Sequence, residues 1–255
     1  NRCSNENVMR KLSAVIITFN EARNIKRCVE SLQGVADEII VVDSFSTDAT
    51  ASICKGLGIH FYEREWKGYS KQKNFGNGLA SNDWILSIDA DEALSEELQK
   101  AIITVKAESH ENFSFARLTN YCGKWIKHSG WYPDTKTRMF NRAKSDWQGE
   151  VHETLTIDSQ SVKKLKGDLL HYSYNSVSDH VKRTDRYSTL GAQELFDKKK
   201  KLSAFNLIFN PWLKFHKLYF LKLGFLDGMA GFTIALITAY GTFLKYIKLH
   251  YLEKG

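Results

Sequence analysis

This chain has few of the features that mark linkers, crosslinks or known nucleotide loops. It holds two prolines in 255 residues, with no internal repeat and no low-complexity stretch. That excludes a string of small modules on flexible tethers and favours one large domain, or one domain with an appendage. It holds four cysteines, Cys3, Cys28, Cys54 and Cys122, none in a C-x-x-C pair. A disulfide frame and a zinc site are both unexpected, and reduced thiols fit a cytosolic protein. No apolar run follows the first basic residues, so no signal peptide is expected, and 1–11 reads as a disordered polar lead-in. The glycine-rich G-x-G-x-x-G and Walker loops are missing, which argues against a nicotinamide enzyme and a P-loop NTPase.

Basic charge is scarce over most of the chain. The first 197 residues hold 26 basic and 27 acidic side chains, net −1. From Lys198 onward ten lysines face two acids, net +8. A neutral body lacks the basic stripe of a nucleic-acid binder. A basic tail rich in Phe, Leu, Tyr and Trp suits an anionic membrane surface.

What is present centres on Trp84-Ile-Leu-Ser-Ile-Asp89-Ala90-Asp91-Glu92. An apolar run of this length reads as a buried strand. Alternation places Asp89 and Asp91 on one side with small Ala90 between them. Two like charges that close need something positive between them. A hard divalent cation, Mg or Mn, meets that need and shares its coordination with phosphates. The plainer alternative is a strand end whose acids cap the next helix.

Leu12–Thr18 and Glu38–Val42 are further continuous apolar runs, read as strands covered on both faces. Between them Ile25, Cys28, Val29 and Leu32 repeat at helical spacing. Ala49, Ile53, Cys54 and Leu57 mark a second helix, Ile59–Tyr62 a short strand, and Ser70–Leu79 a third helix. Strand and helix alternating at this spacing predict an α/β fold with a mostly parallel sheet. Ligands then bind beyond the carboxyl ends of the strands. Those ends are Thr18-Phe19-Asn20-Glu21, Asp43-Ser44 and Asp89-Ala90-Asp91. Lys71 or Lys73, just before the carboxylate strand, is expected to reach a diphosphate; a solvated lysine pair is the alternative.

Ala14-Val-Ile-Ile-Thr-Phe-Asn-Glu21, Glu38-Ile-Ile-Val-Val-Asp-Ser-Phe-Ser-Thr-Asp-Ala-Thr50 and Ile88-Asp-Ala-Asp-Glu92 together resemble the family 2 glycosyltransferases, in order and spacing as well as in motif. The resemblance implies a GT-A fold (a Rossmann-like nucleotide-sugar-binding domain) and a UDP-sugar donor. It implies that Asp43 contacts the uracil and that Asp91 ligates the metal bridging the diphosphate. Asp-Ser-Phe-Ser stands here where many members have Asp-Asp-Gly-Ser, which leaves the sugar open and keeps the Asp.

The acceptor side is expected over 93–197. Ser95 with Glu96 and Glu97 starts a helix, and Phe113–Tyr121 and Thr137–Arg142 read as strands. Trp131 and Tyr132, in an aromatic loop, are candidate sugar platforms; packing of an ordered loop is their plainer role. Trp147-Gln-Gly-Glu-Val-His-Glu-Thr-Leu155 supplies candidate general bases for an inverting transfer. Glu153 leads, with Glu150 and Asp134 as rivals, and His152 either contacts the acceptor or is structural. Val-His-Glu together with the tail resembles the bacterial lipopolysaccharide-core β-glucosyltransferases, which implies glucose transfer to an inner-core sugar.

The tail, 198–255, is expected to lie as interfacial helices on the cytoplasmic face of the inner membrane. Its uncharged run Met229–Leu244 is shorter than the ~20 residues of a span, and a buried helical hairpin or a dimer surface is the alternative. Rival functions are a nucleotidyltransferase, disfavoured without a glycine-rich basic loop, and a membrane scaffold that binds nucleotide sugar without turnover. A processive synthase is disfavoured because Gln-x-x-Arg-Trp is missing.

Overall fold

The computed structural model describes residues 9–149 and 153–254. The chain forms two compact units. The first runs to Arg117 and takes in Asp134–His171; the second comprises Leu118–Pro133 and Tyr172–Gly255. The expected border at 197/198 falls inside the second unit.

In the first unit, β1 (Leu12–Thr18), α1 (Ile25–Leu32), β2 (Glu38–Asp43), α2 (Thr50–Gly56), β3 (His60–Glu63), α3 (Tyr69–Leu79) and β4 (Trp84–Asp89) alternate as the sequence predicts. β1 pairs parallel with both β2 and β4, and β2 with β3. Every residue of β1 is buried, which is why its run carries no polar alternation. Ile25, Cys28, Val29 and Leu32 of α1 pack with Leu12, Ala14 and Ile16 in the main core. On the other face Val15 and Val42 pack with Ile85 and Phe140. There α3 comes close: a Cβ on Gly76 would lie 2.4 Å from Val15 Cγ1. Glycine is therefore required at that position by contact, not by backbone conformation.

β5 (Glu92–Leu94), α4 (Glu96–Val105), β6 (Asn112–Tyr121), β7 (Lys124–Ile126), β8 (Asp134–Asn141), β9 (Trp147–Gln148), β10 (Thr154–Leu155) and β11 (Val162–Tyr174) follow. The main strand order is β3-β2-β1-β4-β8-β6-β11-β5, with antiparallel β4–β8, β6–β8 and β5–β11 pairs. α4 opens as expected at Ser95, whose hydroxyl accepts from Leu98 N, with Glu96 and Glu97 in the first turn.

One expectation fails locally. β4 stops at Asp89, and Ala90 and Asp91 form a turn. Strand alternation therefore does not set the directions of the two aspartates.

In the second unit, β7 pairs with the Thr119–Tyr121 end of β6. α5 (Val177–Asp197) starts at Ser176, whose hydroxyl accepts from Asp179 N. α6 (Ala204–His216) contains Pro211. A π-helical turn, Lys217–Leu221, and a 3-10 turn, Gly224–Asp227, lead into α7 (Gly228–Leu252). α7 packs along both α5 and α6.

Candidate active site

The ends of β1 and β2 carry two loops stitched together by short polar links. Ser44 N donates to Thr18 O at 2.9 Å, Asn20 N to Ser46 Oγ at 2.7 Å, and Thr47 N to Asn20 Oδ1 at 2.8 Å. Asp43 is fully buried, and its two oxygens accept from Ser46 N at 2.7 Å and Ser46 Oγ at 2.6 Å. Its carboxylate thus shapes the turn as an Asx-type residue. Asn20 and Phe45 both hold left-handed backbone, φ 55° and 60°, a costly state for a phenylalanine. The rings of Phe19 and Phe45 remain exposed. Gln72, buried under this turn, donates through Nε2 to Ser44 Oγ at 3.1 Å. Lys71 is exposed.

Lys73 does not stand open toward a diphosphate. It is buried, with Nζ 2.8 Å from Glu153 Oε1, 3.2 Å from Asp89 Oδ1 and 4.7 Å from the centre of the Trp147 ring. From there charges alternate in a chain. Asp89 Oδ2 accepts from Arg138 at 2.8 Å, and Arg138 also lies 3.3 Å from Glu92. Glu92 lies 3.5 Å from Arg117, which meets Asp134 at 2.6 Å, and Lys136 reaches the other oxygen of Asp134 at 3.0 Å. Four acids and four cations thus neutralise one another. Burial alone would raise the Asp89 carboxyl, but Arg138 and Lys73 outweigh it and hold it well below the usual carboxylate range. Burial works against the charge of Arg138, and Asp89 and Glu92 more than restore it.

A metal is therefore not what neutralises Asp89; the protein does so itself. Asp91 points elsewhere. Its Oδ2 is 3.2 Å from His171 Nε2, on β11, where His171 pairs in register with Glu92. Among the described residues no three His, Cys, Asp or Glu side chains gather as a metal cage. Asp91 and His171 fit a divalent cation that shares its other positions with a ligand: one oxygen and one nitrogen donor, both partly open.

The charge chain lines a cavity of about 710 Å³, bordered by Asp89, Arg117, Lys136, Arg138, Trp147 and Glu153 among others. α3 fixes one wall. Ser70 Oγ donates to Gly149 O, Asn74 exchanges two bonds with the Trp147 backbone (2.9 and 3.0 Å), and Lys73 holds Glu153. These residues sit at i, i+3 and i+4 on one helix face, and they grip both sides of the 150–152 segment. Glu150 and His152 lie outside the described residues.

Among the base candidates, Glu153 meets one cation and borders the cavity. Asp134 meets two; burial raises its carboxyl, but Arg117 and Lys136 prevail and lower it. Trp131 and Tyr132 fall in the second unit. Trp131 packs against Tyr121, Tyr174 and His180 at centroid distances of 5.3–6.0 Å. That packing is the plainer of its two expected roles.

Sequence reasoning missed Arg138, Arg117 and His171. Asp134, Lys136 and Arg138 do recur at every second position of β8, a period-two signal of a polar strand face.

The sequence model of the family described as Glycosyl transferase family 2 matches residues 13–165. An uncharacterized glycosyltransferase of Rickettsia felis is 37% identical over 94% of this chain and 90% of its own length. The lipopolysaccharide core biosynthesis glycosyltransferase LpsC of Rhizobium meliloti is 32% identical over 94% of this chain and 92% of its own. Among solved structures, the mannosyltransferase PcManGT of Pyrobaculum calidifontis, in complex with GDP-Man and Mn2+, superposes with a TM-score of 0.53. It covers 97% of this chain and 89% of its own, at 14% identity, a likeness of fold.

Proposed function

The chain belongs to glycosyltransferase family 2 and has the GT-A fold, and from there we propose that it moves a hexose, glucose, from a UDP-sugar to a saccharide of a membrane glycolipid with inversion. The acceptor we assign is the inner core of lipopolysaccharide, in keeping with the similarity to LpsC. The observation that carries this reading is the placement of Glu153: a carboxylate at the open end of the charge chain, pinned to Lys73 and facing the cavity.

Glu153 takes the proton from the acceptor hydroxyl as that oxygen attacks the anomeric carbon, and the bond to the diphosphate breaks on the opposite face. Lys73 keeps the base in place, and Arg138 keeps Asp89 charged without a metal. Asp91 and His171 would hold a divalent cation, Mn or Mg. When bound, that ion supplies positive charge to the departing diphosphate. Asp43, Ser44 and the Thr18–Glu21 loop form the nucleotide end, with Phe19 and Phe45 as exposed rings for the base. Tyr132, on a loop of the second unit, contacts the glycolipid acceptor, and Trp131 packs within that unit. The enzyme works at the cytoplasmic face of the inner membrane as a peripheral protein.

The test is UDP release from a panel of UDP-sugars, with and without Mn, in the wild type and in Asp91→Asn. Release from one sugar that requires both Mn and Asp91 supports the reading. Pyrophosphate formed from UTP and a sugar phosphate would replace it with nucleotidyl transfer. UDP binding with no release, even after truncated lipopolysaccharide core is added, would leave a scaffold.

A further inference from the structure

The second unit carries a surface that the chemistry above does not use. Between α6 and α7 the chain turns through an elbow, Lys217–Met229. Its outward side chains are Phe220, Leu221, Leu223, Phe225, Leu226 and Met229, all exposed, with Leu221 and Met229 each 78% open. Leu223 holds left-handed backbone, φ 54°, a strained state for a leucine. Its inward residues, Leu218, Gly224 and Asp227, are buried. An apolar crown of this density on a soluble surface marks a contact.

The charges around it indicate the partner. Between Lys198 and Leu252 the single acid is Asp227, and it faces inward. Lys217 and Lys222 stand exposed on the elbow. Lys214, Lys217 and Lys245 lie near enough to repel: burial lowers the Lys214 ammonium first, and its two neighbours lower it further. A second copy of this face would set lysine against lysine. An anionic bilayer instead accepts both the apolar crown and the lysines.

By length and composition α7 is a helix that could cross such a bilayer, but its uncharged stretch, 228–244, is only about 25 Å long at 1.5 Å per residue against a ~30 Å hydrocarbon core. α7 is also bonded along the polar α5. A Cβ on Gly241 would fall 2.5 Å from Thr184 Cγ2, and Lys248 Nζ donates to Asp185, Ser188 and Thr189. A crossing α7 would draw those polar groups into hydrocarbon.

The inward side of the elbow builds a particular loop. Asp227 accepts from His128 N at 2.9 Å and from His128 Nδ1 at 3.0 Å, and Ser129 N donates to Lys222 O at 2.9 Å. Gly224 is pressed so close that a Cβ would lie 2.7 Å from Ser129 Oγ. Ile126, Ile234, Tyr121 and Trp131 share one apolar cluster behind it. We propose that the elbow Lys217–Met229 inserts its crown into the headgroup boundary of an anionic membrane without crossing it, and that its inner side holds the loop Lys127–Pro133, with Trp131 and Tyr132, at that depth. The loop's role toward a glycolipid rests on the proposed function; the docking does not.

The experiment uses the full chain with vesicles of phosphatidylcholine alone and of phosphatidylcholine mixed with phosphatidylglycerol. Sedimentation should show binding to the anionic vesicles that high salt reverses. Leu221→Ser/Met229→Ser, which changes only open side chains, should keep its thermal melt and bind at least about tenfold more weakly. Hydrogen exchange on vesicle binding should slow in 217–231 and also at His128 and Ser129. Asp227→Asn should keep vesicle binding and lose the slowing at 128–129. Three results overturn the proposal: no preference for anionic vesicles, unchanged binding by the double variant, or a doubled mass in solution with the elbow protected. Slowing confined to the elbow overturns the link to the loop. Resistance to alkaline extraction from cell membranes would overturn the shallow depth. Turnover of a lipid-free acceptor by the double variant tests the proposed reaction separately.

Discussion

Asp89, partly exposed, and Asp227, buried, are carboxylates held by several partners, one in each unit, and their partners differ in kind. Asp89 is held by two cations, Lys73 and Arg138, which are themselves shared with Glu153 and Glu92. Asp227 is held by backbone amides and one imidazole, all from two adjacent residues, Lys127 and His128. The first arrangement is an electrical balance, and an incoming charged group shifts every member of it. The second is a local clamp that fixes a loop and responds little to charge elsewhere. The first unit thus gathers its polar groups into a web of charges beside a cavity, and the second uses one to fix a loop.

Substitutions can break this contrast or sharpen it. The largest effect is expected from Glu153→Gln, which should lower turnover about a thousandfold while UDP binding, followed by calorimetry, stays near wild type. Retained transfer would move the base to Glu150 or Asp134. Asp91→Asn should cost about a hundredfold in Mn-stimulated turnover with a near-normal melting temperature; equal rates with and without Mn in both proteins would count against the metal pair.

In the second unit the sign of the contrast should reverse. Asp227→Ala leaves the amides of Lys127 and His128 without their acceptor. It should cost about 2 kcal/mol in a urea titration, yet spare UDP release in the absence of acceptor. A large loss of UDP release at wild-type stability would erase the distinction.

The smallest effect concerns His180, buried against Tyr121 and pushed down to about 4 by burial first and Arg183 second. Its folded value lies below the ordinary ~6.5, so the unfolded chain binds the extra proton between those values. Stability is complete above pH 6.5 and declines as pH falls toward 4. Between pH 7 and pH 5 the loss should be about 1–2 kcal/mol, and His180→Gln should flatten that slope. A pH-independent wild type would show that the imidazole opens to water.

The nucleotide half was legible from β1 to β4 because its signals are local. Apolar runs such as Ala14–Ile17 and Ile39–Val42 and helical spacing such as Ile25, Cys28, Val29 and Leu32 need no distant partner to be read. The positions of Asp43, Asp89, Asp91 and Glu153 were legible as candidates, each at the end of a recognisable run. Their partners were not. His171 meets Asp91 because β11 lies antiparallel to β5, and Arg138 meets Asp89 because β8 lies antiparallel to β4. Both pairings join segments far apart in the chain, which no periodicity announces. The same cause hides the partners of Lys73: its spacing from the carboxylate strand was visible, but the acids it meets were not. β11 itself, Val162–Tyr174, hides behind three lysines and a glycine that do not read as a strand.

The close approach of α3 to β1 at Gly76 also bears on how this protein can be engineered. α3 carries two further-apart demands on the same residue type. At Gly76 a single methyl group would displace the helix from Val15, and with it Ser70, Lys73 and Asn74 together. Gly78, two residues on, is exposed, and a Cβ there meets nothing within 4 Å. Gly78→Ala should raise stability by about 0.5–1 kcal/mol at unchanged activity. Gly76→Ala should instead lower activity before it unfolds the chain. One helix thus offers a designer a free position and a forbidden one a half-turn apart, and only the forbidden one is tied to the cavity.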